Sequence, residues 1–319
     1  MKGKLKIAVG TITYGDRSGF LYQNVDRLLT EGFDYIYVLF NGVSNQLITE
    51  TKERYADQQV LFIKSEKNLG SAGGYYKLLR YVHEFDRCDR LLLLDDDNLV
   101  PDGFLKKSLD ICKNSEDIFY FHRPDRILPL ETFLAGEPWR ILGGDCNFLG
   151  RSVFATDSFN GKNFGGDLLA APYGGLFLPR AAIEKEIFPD QDFYLYADDY
   201  DFTFRLCSKG NFNIIFVRHP EIIDLERSFH LKNGGSGFLK NRYFTASEQQ
   251  LFFSVRNQVY LSLREASCAA KFFANVVVFA PIFLFQFLIT LQYKKAFVFL
   301  KAVNKGFRWG MASRSRSRD

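Results

Sequence analysis

Three consecutive carboxylates, Asp95, Asp96 and Asp97, close an apolar run of four leucines, Leu91 to Leu94, with Asn98 directly behind them. Adjacent carboxylates repel and raise one another's pKa, so a triplet held at the end of a buried strand calls for a cation in the same place. Carboxylate oxygens are the ligands that Mg²⁺ and similar hard divalent ions take. A second acidic group, Asp198, Asp199 and Asp201, lies in DFYLYADDYDFTFRLC, which enters a helix. Acids are favoured in a first helical turn by the helix dipole alone.

Four leucines in a row read as a strand covered on both faces, and open α/β sheets bind ligands beyond the carboxyl ends of such strands. Strand-like runs at Leu5–Val9, Tyr35–Phe40 and Val60–Lys64 precede it, alternating with helical segments near Arg17–Thr30 and Tyr75–Glu84. The alternation predicts an α/β fold with a doubly wound, mostly parallel sheet; the Gly-rich, aromatic stretch from Ile118 to Leu178 reads as antiparallel additions and acceptor-facing loops. In such a sheet Thr11 and Thr13 follow the first strand, Asn41 the second, and Asn68 to Gly74, with Gly70, the third. Small hydroxyls, an amide and a glycine turn suit the base, ribose and close backbone approach of a nucleotide, and the aspartates suit a metal bridging its phosphates. The glycine run has neither the GxxxxGK of a phosphate loop nor the GxGxxG of a dinucleotide fold.

The net charge of +4 over 319 residues is too small to imply nucleic acid, and eight Lys/Arg against one acid between Lys294 and Asp319 place the excess in the tail. Five scattered cysteines without CxxC spacing read as reduced thiols of a cytosolic protein, and the basic start passes into a strand without a signal-peptide core. Between Lys271 and Lys294 lie 22 residues without charge. That length would span a bilayer. Asn275, Gln286, Thr290, Lys294, Lys301, Lys305 and Arg308 nevertheless recur at helical spacing, so one polar stripe fits a helix lying in the membrane interface, kinked at Pro281, better than a spanning or an ordinary buried helix. The expected organisation is a catalytic domain over residues 1–235 and a helical region over 236–319, with the membrane-associating segment at about 271–310.

TYGDR at Thr13–Arg17, NLGSAGGYY at Asn68–Tyr76, DDDN at Asp95–Asn98 followed by PDGF, YADDYDFTFRL at Tyr196–Leu206, and His230 together resemble a family 2 glycosyltransferase of the GT-A fold, over roughly residues 4–260. The NLGSAGG and DDD forms, with RNQVYL at Arg256–Leu261, are most similar to galactofuranosyl and rhamnosyl transferases of bacterial surface polysaccharides. The resemblance implies that Asp95 and Asp97 are the outer acids of a DxD motif holding Mn²⁺ or Mg²⁺ against a nucleotide-sugar diphosphate, and that His230 closes the metal site. It implies that one of Asp198 and Asp199, with Asp199 favoured, is the base of an inverting transfer, and that Gly174 and Gly175 lie beside the donor sugar. Trp139 and Tyr196 are candidates for stacking on sugar faces; His83, His122 and His219 are background. Asn41 stands where many members carry an acid that contacts the nucleobase.

The expected protein is a metal-dependent, inverting transferase peripheral on the cytosolic face of a bacterial inner membrane. It takes a UDP-sugar, with UDP-galactofuranose favoured over dTDP-rhamnose, and a lipid-linked oligosaccharide as acceptor, and it meets anionic lipid through its C-terminal segment. The rivals are a nucleotidyltransferase, disfavoured because TITYGDRSG lacks a glycine-rich basic loop, and a non-catalytic carbohydrate-binding or scaffold protein on the same fold.

Overall fold

The computed structural model describes residues 5–85, 88–112, 115–124, 146–154, 166–226 and 243–316. They fall into two compact units: Met1–Pro129, Phe164–Tyr194 and Phe202–Ser228 in the first, and Leu130–Asn163, Leu195–Asp201 and Phe229–Asp319 in the second. The second unit thus takes two internal pieces besides the C-terminal region.

The first unit begins β1 (Ile7–Thr13), α1 (Ser18–Glu31), β2 (Tyr35–Asn41), α2 (Asn45–Arg54), β3 (Val60–Ser65), α3 (Gly70–Phe85), β4 (Arg90–Asp95) and β5 (Asn98–Leu99). It continues with α4 (Phe104–Ile111), β6 (Ile118–Phe121), β7 (Leu176–Pro179) and α5 (Arg180–Glu184), and ends with β8 (Ile214–Val217) and β9 (Ile223–Asp224). The main sheet has the order β3-β2-β1-β4-β7-β6-β8, and β5 pairs separately with β9. Strands β1 to β4 run parallel to one another and β8 runs parallel to β6, while β7 is antiparallel to both its neighbours. The stretch expected to hold antiparallel additions supplies β6 and β7.

Every residue of β1 is buried, whereas edge strand β3 is only partly covered, with Leu61 and Lys64 exposed. The difference is the one expected between a strand covered on both faces and one at a margin. Helix α1 turns Leu21, Val25 and Leu28 inward, a 3.6-residue stripe. It stops at Gly32, whose left-handed φ of 80° closes the last turn onto the Leu29 carbonyl.

Successive strands step outward from β1 to β2 to β3, and the chain then returns to lay β4 on the other side of β1. That reversal is the place where open α/β sheets bind ligands. Ile12 pairs with Asp95, so the Tyr14–Arg17 loop and the Asp95–Asp97 turn leave the sheet side by side.

The second unit contains the first turn of α6 (Asp198–Ser208), then α7 (Glu248–Glu265), α8 (Ala269–Ile289) and α9 (Tyr293–Arg316). Helix α7 starts with a complete capping box between Ser247 and Gln250. Helix α9 lies close against α7 because Gly306 and Gly310 offer no side chain there: a Cβ would stand 2.6 Å from the Arg256 carbonyl oxygen at the first and 2.9 Å from Leu263 at the second.

The C-terminal segment is not one continuous striped helix. A turn at Thr290–Gln292, with Leu291 at φ 56°, separates α8 from α9 and breaks the helical phase on which that stripe depended. Asn275 and Gln286 are wholly buried, and Asn275 donates to the Cys146 carbonyl and accepts from the Val153 amide. Apolar side chains face outward instead, with Val277 74% and Phe285 55% exposed. Among the described residues no cysteine forms a disulfide.

Candidate active site

The acidic turn is divided between two arginines. Arg17 Nε meets both carboxylate oxygens of Asp96 at 2.9 and 3.0 Å, its Nη2 lies 3.4 Å from Asp97, and its Nη1 donates to Glu226 at 2.6 Å. The rings of Tyr14 and Phe20 flank the guanidinium at 5.1 and 4.9 Å. Arg123, fully buried, donates through Nε and Nη2 to Asp224 and through Nη1 to Asp95, 3.2 Å away, and to the Gly174 carbonyl. Asn98 donates to Asp224 at 2.7 Å and accepts from the Asp95 amide, so the turn is tied to β9.

Five carboxylates, Asp95, Asp96, Asp97, Asp224 and Glu226, therefore share two guanidinium groups. Burial pushes Asp97 up to about 7, with repulsion from Asp95 and Asp96 adding to it, and pushes Asp96 up to about 6 against the pull of Arg17. Burial likewise raises the Tyr75 phenol well above its usual value; it donates to Asp95 at 3.1 Å.

Among the described residues the turn thus holds more carboxylates than guanidinium groups, and its outer acids are hard oxygen donors of the kind a divalent cation takes. Asp95 keeps a third of its side chain exposed. Among the described residues no three His, Cys, Asp or Glu side chains form a ready coordination shell, and Asp96 is turned onto Arg17. A cation would rely on Asp95, Asp97 and oxygens from the donor. His230, expected to close that shell, and Trp139 lie outside the described residues.

Several residues expected at the nucleotide are placed inside the sheet or tied to neighbouring backbone. Thr11 and Thr13 lie inside β1 rather than after it, paired with Val38 and Phe40 of β2, and have no exposed surface. The strand runs four residues beyond Val9, which encloses both hydroxyls. Asn41 is buried and ties β2 to the glycine segment, accepting from the Leu69 amide at 2.8 Å and donating to the Gly70 carbonyl at 2.9 Å.

Asn68 is exposed and accepts from the Gly70 amide, an Asx turn that starts α3 at Gly70 instead of Tyr75. Gly70 has φ 71°, and a Cβ there would stand 1.9 Å from the Tyr194 carbonyl oxygen, so this position has no room for a side chain. At Gly174 a Cβ would stand 2.0 Å from Arg123 Nη1, and at Gly175 it would meet the Phe121 carbonyl at 2.8 Å. The arginine passes where a side chain would be.

In the second unit, Asp198 is 2% exposed and Asp199 is partly exposed; Asp199 Oδ1 accepts from the Tyr200 amide. Asp201 is wholly buried against Arg264 at 2.6 Å, an ion pair rather than a solvated helix cap. Tyr196 is half-buried at φ 70°. His83 faces Glu186, and His122 and His219 both face Glu221. Sequence reasoning missed Arg123 and Asp224; Arg123 follows the apolar run Ile118–Phe121 by two positions, and nothing local in the sequence pairs it with Asp224.

A mostly parallel sheet carrying an acidic turn at its order reversal is the GT-A kind of α/β architecture. A family model described as "Glycosyltransferase like family 2" matches residues 30–257, well over half of the sequence, and the chain belongs to that family; it is an enzyme of the glycosyltransferase class. Solved structures with the same fold include S. aureus TarS residues 1–349 in complex with UDP, at TM-score 0.51 and 12% identity over 98% of this chain and 92% of that one. They also include the Pyrobaculum calidifontis mannosyltransferase PcManGT in complex with GDP-Man and Mn²⁺, at TM-score 0.50 and 11% identity over 99% and 87%. Against another S. aureus TarS structure, at TM-score 0.50 and 13% identity, 86% of this chain aligns and spans 44% of that chain. No curated protein matches the sequence.

Proposed function

We propose that this enzyme is a metal-dependent, inverting glycosyltransferase that moves a sugar, galactofuranose from UDP-galactofuranose in the favoured reading, onto a hydroxyl of a lipid-linked glycan during bacterial surface-polysaccharide synthesis. The observation that carries it is the cluster of buried and half-buried carboxylates at the switch between β1 and β4. UDP in a TarS complex, and GDP-Man with Mn²⁺ in the PcManGT complex, support a nucleotide-sugar donor here. The galactofuranose choice rests on the NLGSAGG and DDD forms, and dTDP-rhamnose is the competing donor.

Asp199, the more exposed of the acidic pair, takes the acceptor hydroxyl's proton as that oxygen attacks the anomeric carbon from the face opposite the departing nucleotide. Asp198 holds sugar hydroxyls. Asp95 and Asp97 would hold Mn²⁺ or Mg²⁺, with His230 as the further ligand implied by the family resemblance, and the ion supplies charge neutralisation for the departing diphosphate. Purified enzyme incubated with each nucleotide sugar, acceptor and Mn²⁺ is expected to turn over UDP-galactofuranose; turnover of dTDP-rhamnose alone would replace the donor.

Ionised Asp97 and Asp96 are disfavoured by folding, since their pKa values of about 7 and 6 lie above the ordinary carboxylate value of about 4. The two groups therefore destabilise the fold as pH rises from about 4 to 7, and a cation that binds the ionised form offsets this. Mn²⁺ is expected to raise the melting temperature by several degrees at about pH 8 and by much less at about pH 5.5. Equal shifts at the two pH values would disconnect the metal from these acids.

The enzyme's proposed location is the inner face of the inner membrane, with the outward apolar side of α8 in the headgroup region and Lys294, Lys301, Lys305 and Arg308 toward anionic lipid. Helix α8, of 21 residues, is long and apolar enough to cross a bilayer, yet its buried Asn275 and Gln286 face protein, which favours a helix packed on its own unit. Val277→Asp combined with Phe285→Asp is expected to abolish sedimentation with phosphatidylglycerol vesicles while leaving the melting temperature within a few degrees. Unchanged sedimentation would remove this surface from membrane binding.

A further inference from the structure

We infer that Asn257 is a positioning residue for the acceptor-side base, its buried amide fixing the left-handed bend from which Asp198 and Asp199 emerge. The inference rests on the proposed role of that pair in taking the acceptor's proton. Within the second unit the chain enters α6 through Tyr196 and Ala197, at φ 70° and 62°. Two consecutive non-glycine residues in this region are rare and persist only where their surroundings hold them.

Asn257, on α7, is wholly buried. Its Nδ2 donates to the Leu195 carbonyl and to the Tyr196 carbonyl, both at 2.8 Å. Those oxygens belong to the two peptide planes on either side of Tyr196, so one amide sets both dihedrals of the first left-handed residue. Arg256 Nε donates to Asn257 Oδ1 at 2.8 Å, which fixes which way the amide points. Seven residues along the same helix, Arg264 pairs with Asp201 at 2.6 Å and with the Tyr260 hydroxyl at 3.2 Å.

One face of α7 thus grips the segment Leu195–Asp201 at both ends, with the acidic pair between. Tyr260 is itself clamped by Trp309 of α9, stacked at 3.7 Å and 11°. Helix α9 also packs on α7 at Val259 and Leu263, against Gly306 and Gly310, and the Asn257 amide is not part of those contacts. A general base acts only within hydrogen-bond reach of the proton it takes, and a displacement of about 1 Å costs on the order of a hundredfold in rate.

The test compares Asn257→Leu and Asn257→Ser with the parent enzyme and within Asp199→Asn, following kcat for transfer, donor KM, UDP affinity and melting temperature. Asn257→Leu is expected to lower kcat about a hundredfold with donor KM and UDP affinity within about twofold, and to leave the residual rate of Asp199→Asn unchanged, since residues acting as a unit are not additive. If the leucine variant melts too early to assay, Asn257→Ser, which keeps one donor, is expected to show a smaller loss confined to kcat. An equal fall in both backgrounds, or a parental kcat in the serine variant, overturns the inference. Full transfer by Asp199→Asn rejects the base assignment itself, whereas a normal rate in Asn257→Leu beside an inactive Asp199→Asn rejects only the positioning role.

Discussion

Asp199→Asn is expected to lower the rate of sugar transfer by about 10² to 10⁴-fold, the range that a positioned general base supplies. The amide keeps the size of the carboxylate and can still accept from the Tyr200 amide as Asp199 Oδ1 does, so the first turn of α6 is retained. It cannot take a proton. In the proposed mechanism donor affinity depends on the acidic turn and not on Asp199, so UDP should bind the variant nearly as it binds the parent. Should Asp198→Asn abolish transfer while Asp199→Asn keeps it, the roles of the two residues are exchanged; full transfer in both variants would end the proposed mechanism.

The strands were readable because burial on both faces leaves a local mark. Leu91–Leu94 and Tyr35–Phe40 are unbroken apolar or aromatic runs, and both are core strands. Boundaries were less legible: β1 continues through Thr11 and Thr13, whose hydroxyls resembled a loop, and Gly70–Gly74, which resembled a flexible turn, is the opening of α3. The partners within the site were not legible at all. Arg17 reaches Asp96 across 79 residues and Arg123 reaches Asp224 across 101, and neither leaves a periodic trace in the chain. The C-terminal stripe misled for a different reason. Its phase was counted through Thr290–Gln292 as if one helix ran on, but the turn there resets the angle, and of the polar positions Asn275 and Gln286, both buried, Asn275 serves contacts to its own unit.

Arg123→Met is expected to cause the largest loss of stability of any single change at the acidic turn. The guanidinium is completely enclosed and faces Asp224, whose side chain is 2% exposed, as well as Asp95, a third of which reaches solvent. Breaking a buried pair by removing one partner costs about 3–5 kcal/mol, because the carboxylate left behind loses that counter-charge without regaining water. Most of that cost falls on Asp224, since solvent screens part of Asp95. Melting should drop by on the order of 10 °C, read by calorimetry on the intact chain.

Lysine is a poor substitute, because one ammonium cannot match the fork that reaches Asp224, Asp95 and the Gly174 carbonyl together. Arg123→Lys should therefore fall between the methionine variant and the parent. Arg123→Met combined with Asp224→Asn removes the stranded charge and should recover a large part of the loss, a coupling that additive effects would not give. A methionine variant that melts with the parent would show that the acidic turn does not depend on this arginine, and the account of Gly174 as the opening through which it passes would fall with it.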